Sequence, residues 1–252
     1  MYHFLNTNMM AAKGLESPWQ VGETRAITTK PIMWKRGYHA SPTPYDALQY
    51  ALGPVLCEVT LGGTILTYSD KSVAQSRTLI AAIDVTPELG AWVCDCAERV
   101  LYIFEVRNPN DNRPRKALEM ARKCLIGYAL RKELSIATAR AADAARAAAD
   151  VDALNWAYNP TYWARNFADY DVTGADAAAA ARAAASASSR AAGYVSGSYD
   201  SAKVIADAAA DAARAADRAG DPMERVWQQD RLTALVLPKL AQATKEQAAD
   251  AR

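Results

Sequence analysis

Trp92 to Tyr128 reads W-V-C-D-C-A-E-R-V-L-Y-I-F-E-V-R-N-P-N-D-N-R-P-R-K-A-L-E-M-A-R-K-C-L-I-G-Y, and its pattern decides the fold of most of the chain. Trp92, Val93, Cys96, Val100, Ile103 and Phe104 recur at three- and four-residue spacing, the apolar stripe of one helix. That helix is predicted to start near Thr86-Pro87-Glu88, where threonine can cap, proline suits the first position and glutamate favours the positive end. Asn108-Pro109-Asn110-Asp111-Asn112 breaks it. Asp111 or Asn112 is placed to cap a second helix, with Pro114 in its first turn and Ala117, Leu118, Ala121, Cys124 and Leu125 as its stripe. Arg113, Arg115 and Lys116 stand at the helix end that disfavours cations, which predicts carboxylate partners among Asp95, Glu98, Glu105 and Glu119.

Beyond the hairpin the chain becomes alanine-rich over Ser135–Asp150, Asp176–Ala192 and Ser201–Gly220. Alanine is the strongest helix former, and a face of small side chains lets helices pack closely. Arg140, Asp143, Arg146 and Asp150 read as a solvated, salt-bridged face. Asp171-Val172-Thr173-Gly174, Gly193–Ser198 and Gly220-Asp221-Pro222 read as interruptions. A last helix carries Met223, Val226, Trp227, Leu232, Leu235, Val236 and Leu237, with Pro238 expected to kink or break it and the tail after Gln242 expected to fray. Between the alanine runs, residues 154–170 collect Trp156, Tyr158, Tyr162, Trp163, Phe167 and Tyr170 around Arg165. These aromatics either plug the space above small-faced helices or form a binding surface, because Trp, Tyr and Arg dominate interface hot spots.

Toward the N-terminus the alanine bias vanishes, and glycine, proline, threonine and aromatics appear. Short strands are predicted at Met1–Leu5, Gln20–Thr28, Gly37–Ala40, Val55–Leu61, Thr64–Tyr68 and Val73–Ala82. Gly62-Gly63 reads as a hairpin turn between Val55–Leu61 and Thr64–Thr67. A short helix between Pro42 and Leu52 buries Ala47, Leu48 and Ala51. The whole is therefore α+β: a small mixed domain over 1–85, then an all-α, alanine-rich bundle over 86–252.

With 29 basic and 28 acidic side chains, a formal charge of +1, the chain lacks the balance of a dedicated nucleic-acid binder. No apolar run approaches a membrane span and no signal-peptide layout is present, so a cytoplasmic location away from membranes is expected. Cys57, Cys94, Cys96 and Cys124 are too few and too irregular for a disulfide framework, and read as small buried thiols. His3 and His39 have no cysteine or acidic motif beside them, so neither a metal nor a cofactor is expected. No phosphate-binding loop, zinc-protease or nucleophile-elbow motif occurs.

Two resemblances refine this reading. D-C-A-E-R-V-L-Y-I-F-E, then P-N-D-N-R-P-R-K-A-L-E-M-A-R, the alanine-rich middle and the closing W-Q-x-x-R-L at Trp227–Leu232 resemble the Imm-5-like family of bacterial immunity proteins over about residues 86–240. The resemblance implies a helical protein whose relatives neutralise toxins, with Asp95, Glu98, Asp111, Arg113, Arg115, Trp227 and Arg231 as its structural motif residues. The family's histidines in the alanine-rich helices have no counterpart here. Lys13-Gly14-Leu15, Arg36-Gly37-Tyr38-His39-Ala40-Ser41 and Asp46-Ala47-Leu48-x-Tyr50 resemble a small domain found in phage proteins. More loosely, the order of pieces is similar to that of ADP-ribosyltransferases, which implies His3, Tyr38 or Tyr50, and Glu58 as site residues. The expected function is that of a binding protein: a phage- or bacterium-encoded inhibitor or immunity factor acting on a toxin or defence component through Trp156, Tyr158, Tyr162, Trp163, Arg165 and Phe167. An ADP-ribosyltransferase-like NAD-binding module and an oligomer-forming structural phage protein are the alternatives.

Overall fold

The computed structural model describes residues 1–11, 16–158, 174–195, 202–218, 221 and 223–250. Its contacts divide the chain into two compact units. One comprises Met1–Leu89, Tyr199–Lys203 and Gln229–Arg252, and the other Gly90–Ser198 and Val204–Gln228. The architecture is α+β.

The first unit is built on an antiparallel sheet of β1 (Tyr2–Leu5), β2 (Thr24–Ala26), β3 (Tyr38–Ala40), β4 (Val55–Thr67) and β5 (Ser72–Asp84). The order is β1-β4-β5-β2, with β3 also pairing β5. β3 covers Ser72–Ala74 and β2 covers Ser76–Thr78, so the two short strands share one edge of β5. Tyr2 and Ser41 exchange both backbone hydrogen bonds at 2.8 Å, which ties β1 to the residue that follows β3. The path β1-β4-β5-β3 therefore closes on itself and sets His3 near His39. Leu5, Trp19, Ala40, Val55, Cys57, Val59 and Leu79 fill the core.

After Ser41 the chain enters α1 (Pro44–Leu48), whose N-cap Thr43 accepts from the Asp46 N–H and donates its hydroxyl to the Asp46 carboxylate, with proline in the first turn. Ala47, Leu48 and Ala51 are buried, as their spacing predicts.

Gly62-Gly63 is not a turn. β4 runs straight through it, with a register shift between Gly62 and Ile65, and the hairpin reverses at 68–71, where the Tyr68 N–H reaches the Lys71 carbonyl at 2.8 Å. Gly63 takes a left-handed φ of 71°, and the Gln75 side chain fills the space a Cβ would need and accepts from the Thr64 N–H at 2.8 Å. The glycine pair makes a bulge because β5 supplies a partner across it.

The C-terminal part of α8 (Glu224–Asp250) belongs to this unit. Pro238 sits inside the helix without ending it. Both Pro238 and Ala234, whose carbonyl loses its partner, face solvent, where water can take the bond. Nor does the segment after Gln242 fray. Gln247 donates from Nε2 to the Ala82 carbonyl at 2.9 Å and accepts at Oε1 from the Ala82 N–H at 3.2 Å. Its amide replaces a neighbouring strand where β2 no longer covers β5. Thr244 donates to Glu58 at 3.2 Å, and Lys239 pairs with Glu88.

The second unit holds most of α2 (Thr86–Arg99), then α3 (Tyr102–Arg107), α4 (Arg113–Leu125), α5 (Arg131–Tyr158), α6 (Gly174–Val195) and α7 (Lys203–Arg218). The predicted first helix is two. Buried Val100 and Leu101 form a tight turn, with Leu101 N–H bonded to the Glu98 carbonyl at 3.1 Å and Ile103 N–H to that of Val100 at 3.2 Å. Asp84 caps α2 in place of Thr86, accepting both its N–H and its hydroxyl. Asp111 serves the start of α4, accepting from the Arg113 N–H at 3.1 Å. α6 runs on through Gly193, and 171–173 lie outside the described residues.

Small faces set the packing. α6 contacts α3, α4 and α5, and is buried at Ala177–Ala181, Ala183–Ala185 and Ala187. A helix buried on nearly every side must be apolar all round, and alanine alone lets three neighbours approach it closely. Thr138 on α5 and Ser188 on α6 share a hydrogen bond of 3.0 Å across the seam. The exposed Asp143–Arg146 pair on α5 is the expected solvated face.

Gln247→Ala is expected to leave the Ala82 N–H and carbonyl without partners and to cost about 1–3 kcal/mol of stability. Urea denaturation checks it, and faster amide exchange at Ala82 locates the loss.

Candidate functional site

On the helical hairpin the predicted pairing of basic side chains occurs, with a different distribution. Arg115 holds Glu105 at 2.6 Å and reaches Glu98 at 3.4 Å. Arg113 turns to Asp111, and Lys116 is exposed. Arg122, not anticipated, bridges Asp95 at 2.7 Å and Glu98 at 2.6 Å. These pairs are partly solvated, so each contributes about 0.2–1 kcal/mol, and together they fix the angle between α2 and α4.

A second network is buried. Trp92 donates its indole N–H to the Gln228 carbonyl at 2.9 Å. The Gln228 amide donates to the Ala209 carbonyl at 3.0 Å and to Glu224 at 2.9 Å. Glu224 also accepts from Arg99 Nε at 2.7 Å, and the Arg99 guanidinium lies 4.8 Å above the Trp227 ring. Burial raises the Glu224 carboxyl above its ordinary range, against the lowering pull of Gln228 and Arg99. The W-Q pair thus has a physical role: Gln228 is the buried tie and Trp227 the lid over Arg99. Arg231, further along α8, is exposed.

The first unit contains a cleft of about 230 Å³ lined by His3, Trp34, His39, Ser41, Tyr50 and Lys71, among others. The closure of β1 onto Ser41 brings the two histidines to it. His3 is half-buried, and its Nε2, shielded from solvent, has no hydrogen-bond partner. Burial, then Arg77, then His39, hold the His3 pKa well below the ordinary histidine value, so it is neutral. Burial and the Lys71 and Arg77 charges lower His39 too. Lys71 is buried, with its ammonium over the rings of Trp34 and Tyr50. Tyr50 donates to Asp70, and burial together with that carboxylate pushes its phenol up to about 12.

Of the four residues suggested by the transferase resemblance, His3 and Tyr50 line this cleft, whereas Tyr38 and Glu58 do not. Tyr38 stands edge-on to Trp19, its ring 5.7 Å away and beside the Arg77 guanidinium, and Glu58 accepts from Thr244. Trp34 and Lys71 were missed. A sequence signal existed for neither, since both are recruited by long-range closure. Trp156 and Tyr158 end α5 without described side chains, and Tyr162, Trp163, Arg165 and Phe167 lie outside the described residues. Cys57, Cys94 and Cys96 are buried, and burial pushes the Cys57 and Cys94 thiols up to about 12. Among the described residues no group of three or more His, Cys, Asp or Glu could hold a metal ion, and no helix is long and apolar enough to cross a membrane.

These units define an α+β protein whose helical part is pinned by a buried glutamine network. Residues 86–158 match the family model described as "Imm-5 like putative immunity protein", so this stretch is similar to that family. The match begins at α2 and ends with α5. No curated protein and no solved structure matches the chain, and the resemblance of residues 1–85 to ADP-ribosyltransferases finds no support.

Gln228→Ala is expected to strip partners from Glu224 and the Ala209 carbonyl, lowering stability by about 2–4 kcal/mol in thermal or chemical denaturation. For His3 the sign runs through proton uptake. The unfolded chain binds the proton below about pH 6.5 while the folded chain does not, so stability is full above that pH and falls as pH drops below it, by about 1.4 kcal/mol per unit. His3→Gln should flatten the slope of stability between about pH 6.5 and 5.

Proposed function

We propose that this protein acts by binding another protein, as an immunity factor that neutralises a toxin or a defence component. The observation that carries the reading is the Imm-5-like match over residues 86–158. Within that stretch, the connection between α4 and α5 exposes Ile126 by 68%, Tyr128 by 82% and Leu130 by 71%. Gly127, at φ 77°, supplies the left-handed turn that presents them. On α3, Tyr102 and Val106 are also exposed one turn apart. Large side chains kept in water at this level are characteristic of a surface that another molecule covers.

On sequence grounds the aromatic segment 154–170 is proposed as a further part of the same contact surface, through Trp156, Tyr158, Tyr162, Trp163, Arg165 and Phe167. Phage origin and an anti-defence setting belong to the same proposal, the first resting on the N-terminal resemblance and the second on the family match.

The test is capture of a partner by the immobilised full chain, identification by mass spectrometry, and protection of cells that express that partner as a toxin. Ile126→Ala, Tyr128→Ala and Leu130→Ala combined should weaken the complex at least about tenfold, equivalent to about 1.4 kcal/mol, with the melting temperature unchanged. Trp156→Ala, Tyr162→Ala and Trp163→Ala form a second arm. Full binding and protection by both variants, with the fold intact, would overturn the reading.

A further inference from the structure

Three observations meet at the cleft of the first unit. Lys71 is buried, and among the described residues no carboxylate lies within ion-pair distance of its ammonium, which rests 3.8 Å from the centre of the Tyr50 ring and against Trp34. His3 Nε2 is buried on the cleft wall with no partner. Trp34 is held at φ 68°, a left-handed conformation that a bulky residue adopts only at a cost, with 68% of its surface exposed. A tight turn maintains that conformation: Ile32 and Arg36 pair across it, and the Trp34 N–H donates to His39 Nε2 at 3.4 Å. The left-handed Trp34 and the unsatisfied His3 nitrogen are unfavourable for folding alone, and the Lys71 ammonium has ring faces and the attraction of Asp70 but no carboxylate in direct contact. An entering ligand can supply partners to both the imidazole and the ammonium.

The chemistry of the walls selects the class. Trp34 and Tyr50 stand edge to face with ring centres 5.8 Å apart, and Lys71 sits beside both rings. A flat ring can replace the ammonium there. The charges that reach the interior are positive, from Lys71 and from Arg77, which donates to the His39 carbonyl at 2.9 Å. The nearby acids are already engaged. Asp70 accepts from the Tyr50 hydroxyl at the mouth, and Asp46 is committed to the cap of α1. We propose that this cleft binds a small organic anion with a flat ring, the ring against Trp34 and Tyr50 and the carboxylate or phosphate held by Lys71, with Ser41 and His3 completing the polar wall. Binding displaces the ammonium from the ring faces onto the anion, exchanging a cation–π contact for a charge-assisted hydrogen bond.

The chain has two histidines, and both line the cleft, so their imidazole resonances report on this site. The experiment titrates the full chain with benzoate, phenyl phosphate, benzyl alcohol and benzamidine, and follows the imidazole signals by NMR. One or both anions should shift them with a Kd of about 1 mM or tighter, within the ligand-efficiency bound for about ten non-hydrogen atoms. The neutral and cationic probes should leave them in place. Benzoate and phenyl phosphate, compared with each other, separate carboxylate from phosphate recognition. Lys71→Gln should weaken the anions at least about tenfold, and Lys71→Arg, which keeps the charge, should stay within about threefold of the unaltered chain. Trp34→Ala should weaken the anions while leaving the charge in place. The proposal is overturned if no probe moves the imidazole signals at about 10 mM, well above that Kd. It is equally overturned if benzyl alcohol or benzamidine binds as well as the anions, or if folded Lys71→Gln binds them undiminished.

Discussion

The helical unit depends on one buried amide. Gln228 receives the Trp92 indole at its backbone carbonyl and spends its side-chain N–H groups on Ala209 and Glu224. The need for it follows from the alanine faces. Alanine loses no side-chain entropy on burial and lets backbones approach, but each methyl buries little area and offers no shape. Two alanine faces can slide past one another with little loss of contact, because neither has a knob large enough to choose a hole. Uniform cores are under-specified for that reason. A directional hydrogen bond in a dry interior is lost at once when the register slips. In this unit Gln228 supplies that discrimination for α2 and α7, and the Thr138–Ser188 bond does so between α5 and α6.

A comparable economy operates in the first unit, where the difficulty is edges. β5 is thirteen residues long, and its second edge is covered piecewise: by β3, by β2, and then by the amide of Gln247. β1 meets Ser41, so that edge is engaged too. Closing the sheet this way brings β1 and β3 together, and the side chains at that seam, His3 and His39, become neighbours without any sequence proximity. The positive field around them comes from Arg77, a buried cation stacked on Trp19 and Tyr38 and lowered to about 10 by burial. The cleft is thus a by-product of edge closure that carries polar groups left unsatisfied by the fold.

What could be read from the sequence was what repeats locally. Apolar spacing exposed the two helices of the hairpin, the alanine faces and the buried side of α1, because each stripe faces its core over several turns. Gly62-Gly63 is turn-forming chemistry, yet Gln75 from the facing strand completes its hydrogen bonding and keeps β4 extended. Pro238 breaks helices when its orphaned carbonyl is buried, and here it faces water. Val100 and Leu101 continue the helical stripe but are drawn into a turn, both buried. For the glycine pair a residue of the facing strand supplied the deciding partner, and for Pro238 the solvent did. The same holds for the cleft. His3 and Tyr50 could be singled out, whereas Trp34 and Lys71 acquire their roles from a turn and a hairpin end that only the closed sheet brings together.

Charge satisfaction separates the surfaces available for contact on the helical unit. Glu98, Glu105, Asp111, Arg113, Arg115 and Arg122 are engaged with one another. A partner that recognised this face by its charges would first have to break those pairs and recover their energy. Ile126, Tyr128 and Leu130 make no such demand. They stand largely in water already, on a connection whose turn is set by Gly127, so covering them releases hydration and disturbs nothing beneath. The ion pairs hold the hairpin at a fixed angle and the apolar connection is displayed at its end. Rigidity and exposed apolar surface thereby fall to different residues, and for the proposed binding role that division would keep the ordering cost of association low.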